Sequence, residues 1–370
     1  MKIGVNLLGL SQDRFGGVEQ YLKNLIWFLA NKDDKLELFL FLTDPNSGMF
    51  PDQINQIKKV ILKKADESSK IYEAIHRCQL DLWFCPLHRS YLSDIPIPTV
   101  VTIHDVLHAF YPEFVSGGLE FNNQYYRTFA PSFDAVITVS EFSKKSIADR
   151  LHIPEEKIHA IYQDTSNVFC KSPNRRLKAK IKAKYKLPDV YALYPASYNP
   201  HKNHHNLLTA LIHLRDKHKK PIPLVLTGYT YKENMIYQSV VKFLRDHTLG
   251  KQVKILGYVP QQEMPYLYYN ASFLVFPSLF EGFGIPLVEA MRTQTPIVCS
   301  NGGSIPEVAG DAALLFDPDS PEDIALKMLQ VLDPQTRTKL IEKGQTRVKA
   351  FSWEKSAQET LNVFRSVVPT

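Results

Sequence analysis

The stretch "SFLVFPSLFEGFGIPLVEAM", residues 272–291, carries the signals of a strand, a turn and a helix in immediate succession. Its first part is a run of apolar, β-prone residues, which predicts a buried strand over 272–277. The glycines that follow predict a turn, and Pro286 suits the first turn of a helix, where a missing N–H costs nothing. Glu281 and Glu289 bracket this turn, so two carboxylates are expected near the carboxyl end of a buried strand.

Similar units run along almost the whole chain, with about six on each side of the basic stretch near 171–189. Continuous apolar strands that alternate with helices predict parallel sheets covered on both faces. We therefore predict an α/β fold of two doubly wound, Rossmann-like domains that face each other across a cleft, and this cleft is the expected ligand site. The predicted bounds are 1–185 for the first domain and 186–350 for the second, with a helix in 351–370 that packs back on the first domain.

The composition is that of a soluble globular protein, with 370 residues, 44% hydrophobic and 22% charged. No apolar run approaches the ~20 residues of a membrane span. The four cysteines form no CxxC pair, which suits a reducing cytosol and suggests neither zinc nor disulfides. The net charge of +6 does not imply nucleic acid. The basic run 171–186 indicates a solvated linker or helix face, or else attraction to an anionic membrane surface or substrate.

The turn after the strand at 272–277 has the features of a ligand-binding loop. The backbone N–H groups of Phe283, Gly284 and Ile285 fall at a helix N-terminus, where such groups bind anions or sugar hydroxyls. Glu281 is expected at the cleft mouth and Glu289 one helical turn further in, where a carboxylate can accept hydrogen bonds from the vicinal hydroxyls of a ribose. The alternative is an ordinary strand–turn–helix with Glu289 favourably placed in the first helical turn.

A second candidate stretch, "ASYNPHKNHHNLLTA" over 196–210, follows another strand and opens a helix. Lys202 beside a helix N-terminus can bind a phosphate. His201, His204 and His205 could instead form a metal cluster, but their spacing matches no closed zinc pattern. We therefore predict no metal here.

Two stretches in the first half also place polar groups at strand ends. Gly16 and Gly17, in "RFGGVEQYLKNL", could cradle a diphosphate with backbone N–H groups or could form a plain loop. His104 follows another strand and could hydrogen-bond a substrate hydroxyl or could be a core histidine. The chain contains neither GxGxxG nor a P-loop motif, which argues against a dinucleotide cofactor.

Taken together, these motifs resemble the retaining glycosyltransferases of family 4, which have the GT-B fold, and most closely the bacterial surface-polysaccharide and lipopolysaccharide type. The resemblance covers about 95–165 and 190–365. The most specific feature is the pair of glutamates separated by seven residues. The stretches that carry it are "FPSLFEGFGIPLVEAM", "HKNHHNLLTAL", "TIHD" and "VITVSEFSKK".

The resemblance implies a role for each candidate residue of the second domain. Glu289 would hold the ribose hydroxyls of a nucleotide sugar. Glu281, with the backbone of 283–285, would hold the donor sugar. Lys202 would neutralise the diphosphate leaving group, and the base would pack near the loop of Gly257, Tyr258 and Val259.

In the first domain, the resemblance implies that Gly16 and Gly17 approach the β-phosphate and that His104 meets the donor sugar on the acceptor side. The implied catalytic residues are therefore His104, Glu281 and Lys202. Acceptor contacts are expected around 10–20, 45–60 and 105–130, where aromatic side chains could stack on a sugar, touch a lipid carrier or belong to the core.

The chain departs from the family pattern at Ser197, where the family usually has an arginine that also faces the diphosphate. It departs again in "IYQD", 161–164, where a glycine turn is common. The expected activity is transfer of a sugar from a GDP- or UDP-sugar to a saccharide or lipid-linked acceptor, without cofactor or metal. The expected location is the cytoplasm, with peripheral contact at the inner face of the membrane. The alternatives are a sugar-nucleotide epimerase on the same fold and a non-catalytic nucleotide-sugar-binding homologue.

Overall fold

The computed structural model describes the chain except for residues 11–15, 51–54, 64–67, 91, 93, 172–173 and 370. Two of the stretches predicted to contact the acceptor, 10–20 and 45–60, therefore lie partly outside the described residues.

The strands of the described residues form two sheets, and every recorded strand pair is parallel. The first sheet has the order β3-β2-β1-β4-β5-β6-β7 and the second β10-β9-β8-β11-β12-β13. In each, the order reverses at one point, which is the hallmark of a doubly wound sheet. The strands are β1 Lys2–Asn6, β2 Glu37–Thr43, β3 Ile57–Leu62, β4 Leu82–Cys85, β5 Thr99–Thr102, β6 Ala135–Thr138, β7 Ile158–Ala160, β8 Ala192–Pro195, β9 Leu224–Thr227, β10 Val253–Ile255, β11 Phe273–Phe276, β12 Ile297–Ser300 and β13 Ala313–Phe316.

Helices connect most of these strands. The predicted fold class, two doubly wound Rossmann-like α/β sheets, is confirmed. The α-helices of the described residues are α1 Gly17–Ala30, α2 Ser68–Cys78, α3 Leu107–Phe110, α4 Gly118–Phe129, α5 Glu141–Leu151, α6 Arg175–Lys184, α7 His204–Asp216, α8 Met235–Asp246, α9 Met264–Asn270, α10 Ile285–Arg292, α11 Ile305–Ala309, α12 Pro321–Gln330, α13 Pro334–Arg347 and α14 Trp353–Val367.

Internal contacts divide the chain into two compact units. The first unit comprises Met1–Asp164 and Phe351–Thr370, and the second comprises Thr165–Ala350. The division therefore falls about twenty residues before the predicted boundary at 185/186. The reason is α6, the basic helix, which packs on α9 of the second unit and buries Ile181.

The C-terminal helix α14 belongs to the first unit, where it packs against α1. The ring of Phe364 lies 5.0 Å from that of Phe84 on β4. Ion pairs tie both ends of the helix to the loop after α1, with Lys32 bonded to Glu354 at 3.0 Å and Arg365 to Asp33 at 2.8 Å. Apolar burial rather than these exposed pairs stabilises the contact, because surface ion pairs contribute little.

Most strands are short apolar runs in the sequence and are buried in the structure, as parallel sheets require. Strand β3 is different, because its sequence "IKKVIL" mixes lysines with apolar residues and it lies at the edge of the first sheet. This strand is not among those predicted from the sequence, because its lysines interrupt the apolar run. Within the described residues, no helix combines the length and the low polarity needed to cross a bilayer.

Candidate active site

Two candidate residues of the second unit lie beyond the carboxyl ends of neighbouring strands. Strands β8 and β11 are adjacent at the point where the strand order reverses. Lys202 follows β8, and Glu281 follows β11. Ligands of doubly wound sheets bind at such a reversal point, beyond the carboxyl ends of the strands. The topology therefore places this pair where a ligand site is expected.

Lys202 and Glu281 form an ion pair in which Nζ lies 2.6 Å from Oε1. Their side chains are only 16% and 13% exposed, so the pair is largely removed from water. Burial alone would raise the pKa of the Glu281 carboxyl, but the charges of Lys202 and His201, with hydrogen bonds from Lys202 and Ser278, outweigh burial and lower it below the ordinary value. The loops that follow β8 and β11 are also joined through their backbones, since Leu279 N donates to His201 O at 2.8 Å. The pair is a charged, pre-formed polar site.

A third loop, after β12, supports the backbone at Glu281. The N–H and hydroxyl of Ser304 both donate to the carbonyl oxygen of Glu281, at 3.2 and 2.9 Å. Gly303 has a φ of 56°, and a Cβ there would lie 2.9 Å from both the N and the O of Glu281. This contact explains the glycine at 303, because any side chain would push the Glu281 loop away. Gly303 and Ser304 are not among the residues predicted from the sequence, although "SNGGS" directly after a strand is a signal of such a supporting turn.

Glu289 lies on α10 and is 6% exposed. The hydroxyl of Tyr268 donates to Oε2 at 2.5 Å, and the hydroxyl of Thr165 lies 3.5 Å from Oε1. Burial raises the pKa of Glu289 to about 7, although both hydrogen bonds act in the opposite direction. The alternative that places Glu289 in the first turn of the helix is wrong, because that turn, which begins at Ile285, carries no acid. The carboxyl is a buried, hydrogen-bonded group that can exchange a proton near neutral pH.

The turn between the two glutamates adopts a conformation that requires glycine. Gly284 caps α10 with a φ of 97°, in the left-handed region. Phe283 and Ile285 on either side of it are 2% and 8% exposed, so their side chains anchor the turn in the core. Pro286 lies in the first turn of α10, as predicted. The turn thus fixes the direction of the helix N-terminus with its backbone rather than with a side-chain cap.

The remaining donor candidates of the second unit occupy loops at the same edge of the sheet. Ser197 is exposed, and its hydroxyl accepts a hydrogen bond from Asn199 Nδ2 at 3.0 Å. Residues 257–259 form the loop after β10, where Val259 is buried and Tyr258 is 49% exposed. Gly257 has a φ of 72°, and its carbonyl accepts a hydrogen bond from Gly228 N at 3.0 Å.

In the first unit, Gly16 and Gly17 begin α1 and are exposed. A Cβ at Gly16 would have no atom within 4 Å, so space is open beside it. His104 follows β5 and is 7% exposed, with Nε2 3.1 Å from the carbonyl oxygen of Pro86. A carbonyl only accepts, so Nε2 carries the proton and Nδ1 is left as an acceptor. Burial, with the nearby His88, lowers the pKa of His104 to about 3, so the ring is neutral.

The histidines near Lys202 engage in separate contacts. His204 is 3% exposed and stacks on Tyr198 with ring centroids 4.8 Å apart. His205 Nε2 lies 2.9 Å from Ser239 Oγ. Across the described ranges, no group of three His, Cys, Asp or Glu residues is arranged to hold a metal ion.

Aromatic side chains in the stretches predicted to contact the acceptor divide between core and surface. Phe50, Tyr125 and Tyr126 are at most 7% exposed and belong to the core of the first unit. Phe110 is 37% exposed and Phe121, on α4, is 63% exposed.

Two family profiles match the chain, "Glycosyl transferases group 1" over residues 177–347 and "Glycosyltransferase Family 4" over residues 15–163. The chain is 30% identical to the O-antigen chain mannosyltransferase B of Escherichia coli, over 94% of this chain and 96% of that protein. It is 27% identical to the serotype-specific mannosyltransferase WbdA of E. coli, over 74% of this chain but 34% of that longer protein.

Among solved structures, the chain superposes on Alr3699/HepE of Anabaena in complex with UDP and glucose with a TM-score of 0.79. The alignment covers 99% of this chain and all of that chain at 18% sequence identity. At this identity, the likeness concerns the fold alone.

Proposed function

Because the chain belongs to the group 1 glycosyltransferases, a family with the GT-B fold, we propose that it transfers mannose from a nucleoside diphosphate mannose to a saccharide hydroxyl. Its two most extensively aligned relatives described above are named as mannosyltransferases, which supports mannose as the sugar. The name of the first, an O-antigen chain mannosyltransferase, supports a growing surface polysaccharide as the acceptor. We propose that the protein acts in the cytoplasm, where it makes peripheral contact with the inner face of the membrane. The acceptor is either free or attached to a lipid carrier.

The observation that carries this proposal is the buried Lys202–Glu281 pair at the reversal point of the second sheet. A nucleotide sugar needs a cation for its diphosphate and an acceptor for its sugar hydroxyls, side by side. Lys202 supplies the first and Glu281 the second, and the charge of Lys202 favours the ionised form of Glu281. When a donor binds, the Lys202 ammonium pairs with the diphosphate as well as with Glu281, and the Glu281 carboxylate accepts hydrogen bonds from the sugar hydroxyls.

In the proposed reaction, the bond between the sugar C1 and the diphosphate oxygen breaks, and a bond from C1 to the acceptor oxygen forms on the same face. The acceptor proton passes to the leaving diphosphate, which departs as nucleoside diphosphate. Negative charge develops on that leaving group, and a pre-positioned cation stabilises it in the transition state. Lys202 takes this role, while Glu281 and the backbone of 283–285 hold the donor sugar, and the proposed reaction uses no divalent metal or cofactor.

Glu289 is proposed to accept hydrogen bonds from the ribose hydroxyls, with Tyr268 as the positioning residue. In the first unit, Gly16 and Gly17 are proposed to bind the β-phosphate through backbone N–H groups. The Nδ1 atom of His104 is proposed to accept a hydrogen bond from a sugar hydroxyl, which suits a neutral ring whose proton resides on Nε2.

The proposal is tested by incubating the purified protein with GDP-mannose, UDP-glucose and other nucleotide sugars, and a saccharide acceptor, with and without EDTA. We expect release of nucleoside diphosphate from a mannose donor, only with acceptor present, and insensitive to EDTA. Interconversion of donor sugars without acceptor would point to an epimerase. Donor binding without release would point to a non-catalytic homologue, and Ser197 would then be the first residue to replace with arginine.

The role of Tyr268 gives a separate prediction. Tyr268→Phe removes the 2.5 Å hydrogen bond to Glu289, and since this bond lowers the pKa of that carboxyl, its loss raises the pKa above about 7. We expect the donor KM to rise several-fold at pH 7 and to recover towards pH 9, with little change in kcat. KM and kcat measured from pH 6 to pH 9 test this.

Tyr269→Phe is the matched control, because Tyr269 lies on the same helix and its hydroxyl bonds only to the carbonyl of Lys171 among the contacts described, at 3.0 Å. The control should keep the KM profile of the native enzyme. A Tyr268→Phe variant that melts earlier but keeps the native pH profile would mean that Tyr268 is merely structural.

A further inference from the structure

The loop after β4 contacts His104 at two points. Nε2 of His104 donates to the carbonyl oxygen of Pro86 at 3.1 Å, and two residues further on the ring of His88 lies 4.9 Å from the ring of His104, between centroids. The backbone N–H of His88 donates to Thr102 O on β5 at 3.1 Å. Tyr21 also contacts His104, edge to face, at 4.7 Å. Backbone contacts therefore hold His88 in a fixed place beside a candidate site residue.

His88 has a left-handed backbone, with a φ of 67°, which residues other than glycine rarely adopt. Among the described residues, most other non-glycine residues with a positive φ closely follow the end of a helix, where this conformation is an ordinary cap. His88 instead lies between two strands, β4 and β5. Glycine would adopt the same conformation at a lower cost, so a histidine at this position points to a use for the ring.

The ring nitrogens of His88 are available to a ligand. The residue is partly exposed, and in the part of the chain that the structure describes neither ring nitrogen has a hydrogen-bond partner. Burial, together with the nearby Arg89 and His108, lowers the pKa of His88 to about 4, so the ring is neutral. A neutral imidazole offers one N–H donor and one nitrogen acceptor. This combination suits a sugar hydroxyl, which can both donate and accept.

We propose that His88 binds a hydroxyl of the saccharide acceptor. This inference rests on the proposed function, in which Nδ1 of His104 accepts a hydrogen bond from the donor sugar. For transfer, the acceptor oxygen must come within about 3 to 3.5 Å of the sugar C1, so the acceptor and the donor sugar are in contact. A ring 4.9 Å from that of His104 is then close enough to reach the acceptor.

The position of His88 in the first sheet agrees with this role. The strand order of that sheet reverses between β1 and β4, and His88 follows β4 at its carboxyl end. Ligands of doubly wound sheets bind beyond the carboxyl ends of the strands at such a reversal point. Position 88 lies outside the three stretches in which the sequence predicts acceptor contacts, so it adds a new element to the acceptor side.

The alternative is a structural role in which the ring of His88 only packs against His104. The two roles differ in the substrate that responds when the ring is removed. Loss of support for His104 would weaken donor binding, because His104 is the residue proposed to contact the donor sugar. Loss of an acceptor contact would raise the acceptor KM and leave donor binding unchanged.

The test uses His88→Gly, which removes the ring and relieves the left-handed backbone. With GDP-mannose as donor and α-linked mannobioses as acceptors, we expect the acceptor KM to rise about three- to tenfold, the effect of losing one neutral hydrogen bond. Calorimetric affinity for GDP-mannose should not change. His88→Asn should recover part of the acceptor affinity, because asparagine tolerates this backbone and keeps a hydrogen-bonding side chain.

Folding stability gives a second readout for His88→Gly. The variant should be at least as stable as the native enzyme, because glycine adopts a positive φ without strain. Unfolding followed by tryptophan fluorescence measures this, since all three tryptophans lie in the first unit.

His152→Gly is the matched control. His152 also belongs to the first unit and has a φ of 56°, but it is exposed and caps the end of α5. This variant should keep the native acceptor KM. A native acceptor KM in His88→Gly would overturn the proposal, and weaker donor binding with an unchanged acceptor KM would assign the ring to the support of His104. If the native enzyme transferred no mannose from GDP-mannose, the proposed function would fail, and this inference with it.

Discussion

Lys202→Ala is expected to lower kcat by at least about a hundredfold, the usual effect of removing one group that stabilises transition-state charge. It is also expected to destabilise the second unit by about 3 kcal/mol. The second effect arises because Glu281, with a side chain only 13% exposed, loses the cation 2.6 Å away, and only the weaker influences of His201 and Ser278 still favour its charged form. Its pKa should then rise above the ordinary value, because burial is the largest influence on this carboxyl and Lys202 the main opposing one.

Lys217→Ala is the matched control for this substitution. Lys217 also pairs with a glutamate of the second unit, Glu322 at 3.0 Å, but the two side chains are 53% and 55% exposed. An exposed pair contributes less than about 1 kcal/mol, so this variant should keep both its activity and its stability. Equal effects of the two substitutions would contradict the interpretation of Lys202 and Glu281 as a buried functional pair.

Stability and catalysis can be separated with the double variant Lys202→Met, Glu281→Gln. Replacing both charges removes the unpaired carboxylate, so much of the lost stability should return. The activity should not return, because the leaving group still has no cation. Recovery of kcat in the double variant would exclude a catalytic role for Lys202.

The stability measurement must report on the second unit. The three tryptophans, Trp27, Trp83 and Trp353, all lie in the first unit, so tryptophan fluorescence follows the wrong part of the molecule. Amide hydrogen exchange in β11 and α10 reports local and global opening of the second unit directly.

The sequence predicted the fold because the local signals and the overall topology agree. Each buried parallel strand is a short apolar run, and the following turn carries glycine, proline or a polar cap, as in 272–291. The positions of Lys202 and Glu281 at strand ends followed from the same patterns. Their pairing did not, because it depends on the spatial adjacency of β8 and β11, which are separated in the chain by two strands, β9 and β10, and by the α-helices α7, α8 and α9.

The residues that support the glutamates could not be predicted in the same way. The sequence pattern gives Tyr268 no more than an apolar position of a short helix and Thr165 no more than a position in a loop. In the structure, both hydroxyls form hydrogen bonds with Glu289. The basic helix α6 falls within the predicted first domain, because its lysine- and arginine-rich composition is typical of a linker at a domain boundary. Composition does not reveal which unit buries Ile181, and that contact decides the division of the chain.

Glu289→Gln is expected to weaken donor binding at least about tenfold and, at the same time, to stabilise the second unit at alkaline pH. The pKa of Glu289 is raised from 4.5 to about 7 in the folded chain. Below pH 4.5 the carboxyl is protonated in both the folded and the unfolded state, and it costs nothing. Between pH 4.5 and 7 only the unfolded state ionises, so folding stability falls as pH rises. Above pH 7 the full cost remains, about 3 kcal/mol for this difference in pKa.

Glutamine has no charge to bury and can still accept the hydrogen bond from Tyr268, so the variant should escape this cost. Relative to the native enzyme, its free energy of unfolding should rise by up to about 3 kcal/mol between pH 4 and pH 8, as followed by hydrogen exchange in α10. Glu342→Gln, at an exposed position of α13, should show no such pH-dependent difference.

Donor affinity should change in the opposite sense. Under the proposed role, an ionised Glu289 accepts hydrogen bonds from two ribose hydroxyls, so the native enzyme should bind its donor more tightly as pH rises through about 7. The glutamine variant should bind at least about tenfold more weakly at pH 8, with a flat pH profile, because a hydrogen bond to a charged group contributes about 1.5 to 3 kcal/mol.

A variant that gains stability but keeps native donor affinity would show that the buried carboxyl serves no ligand. Loss of both stability and affinity would mean that Glu289 is ionised and structurally satisfied at neutral pH. A buried carboxyl that lowers folding stability when it ionises is best explained by a function that requires the ionised form. Measuring both unfolding free energy and donor affinity in the same variant tests this explanation directly.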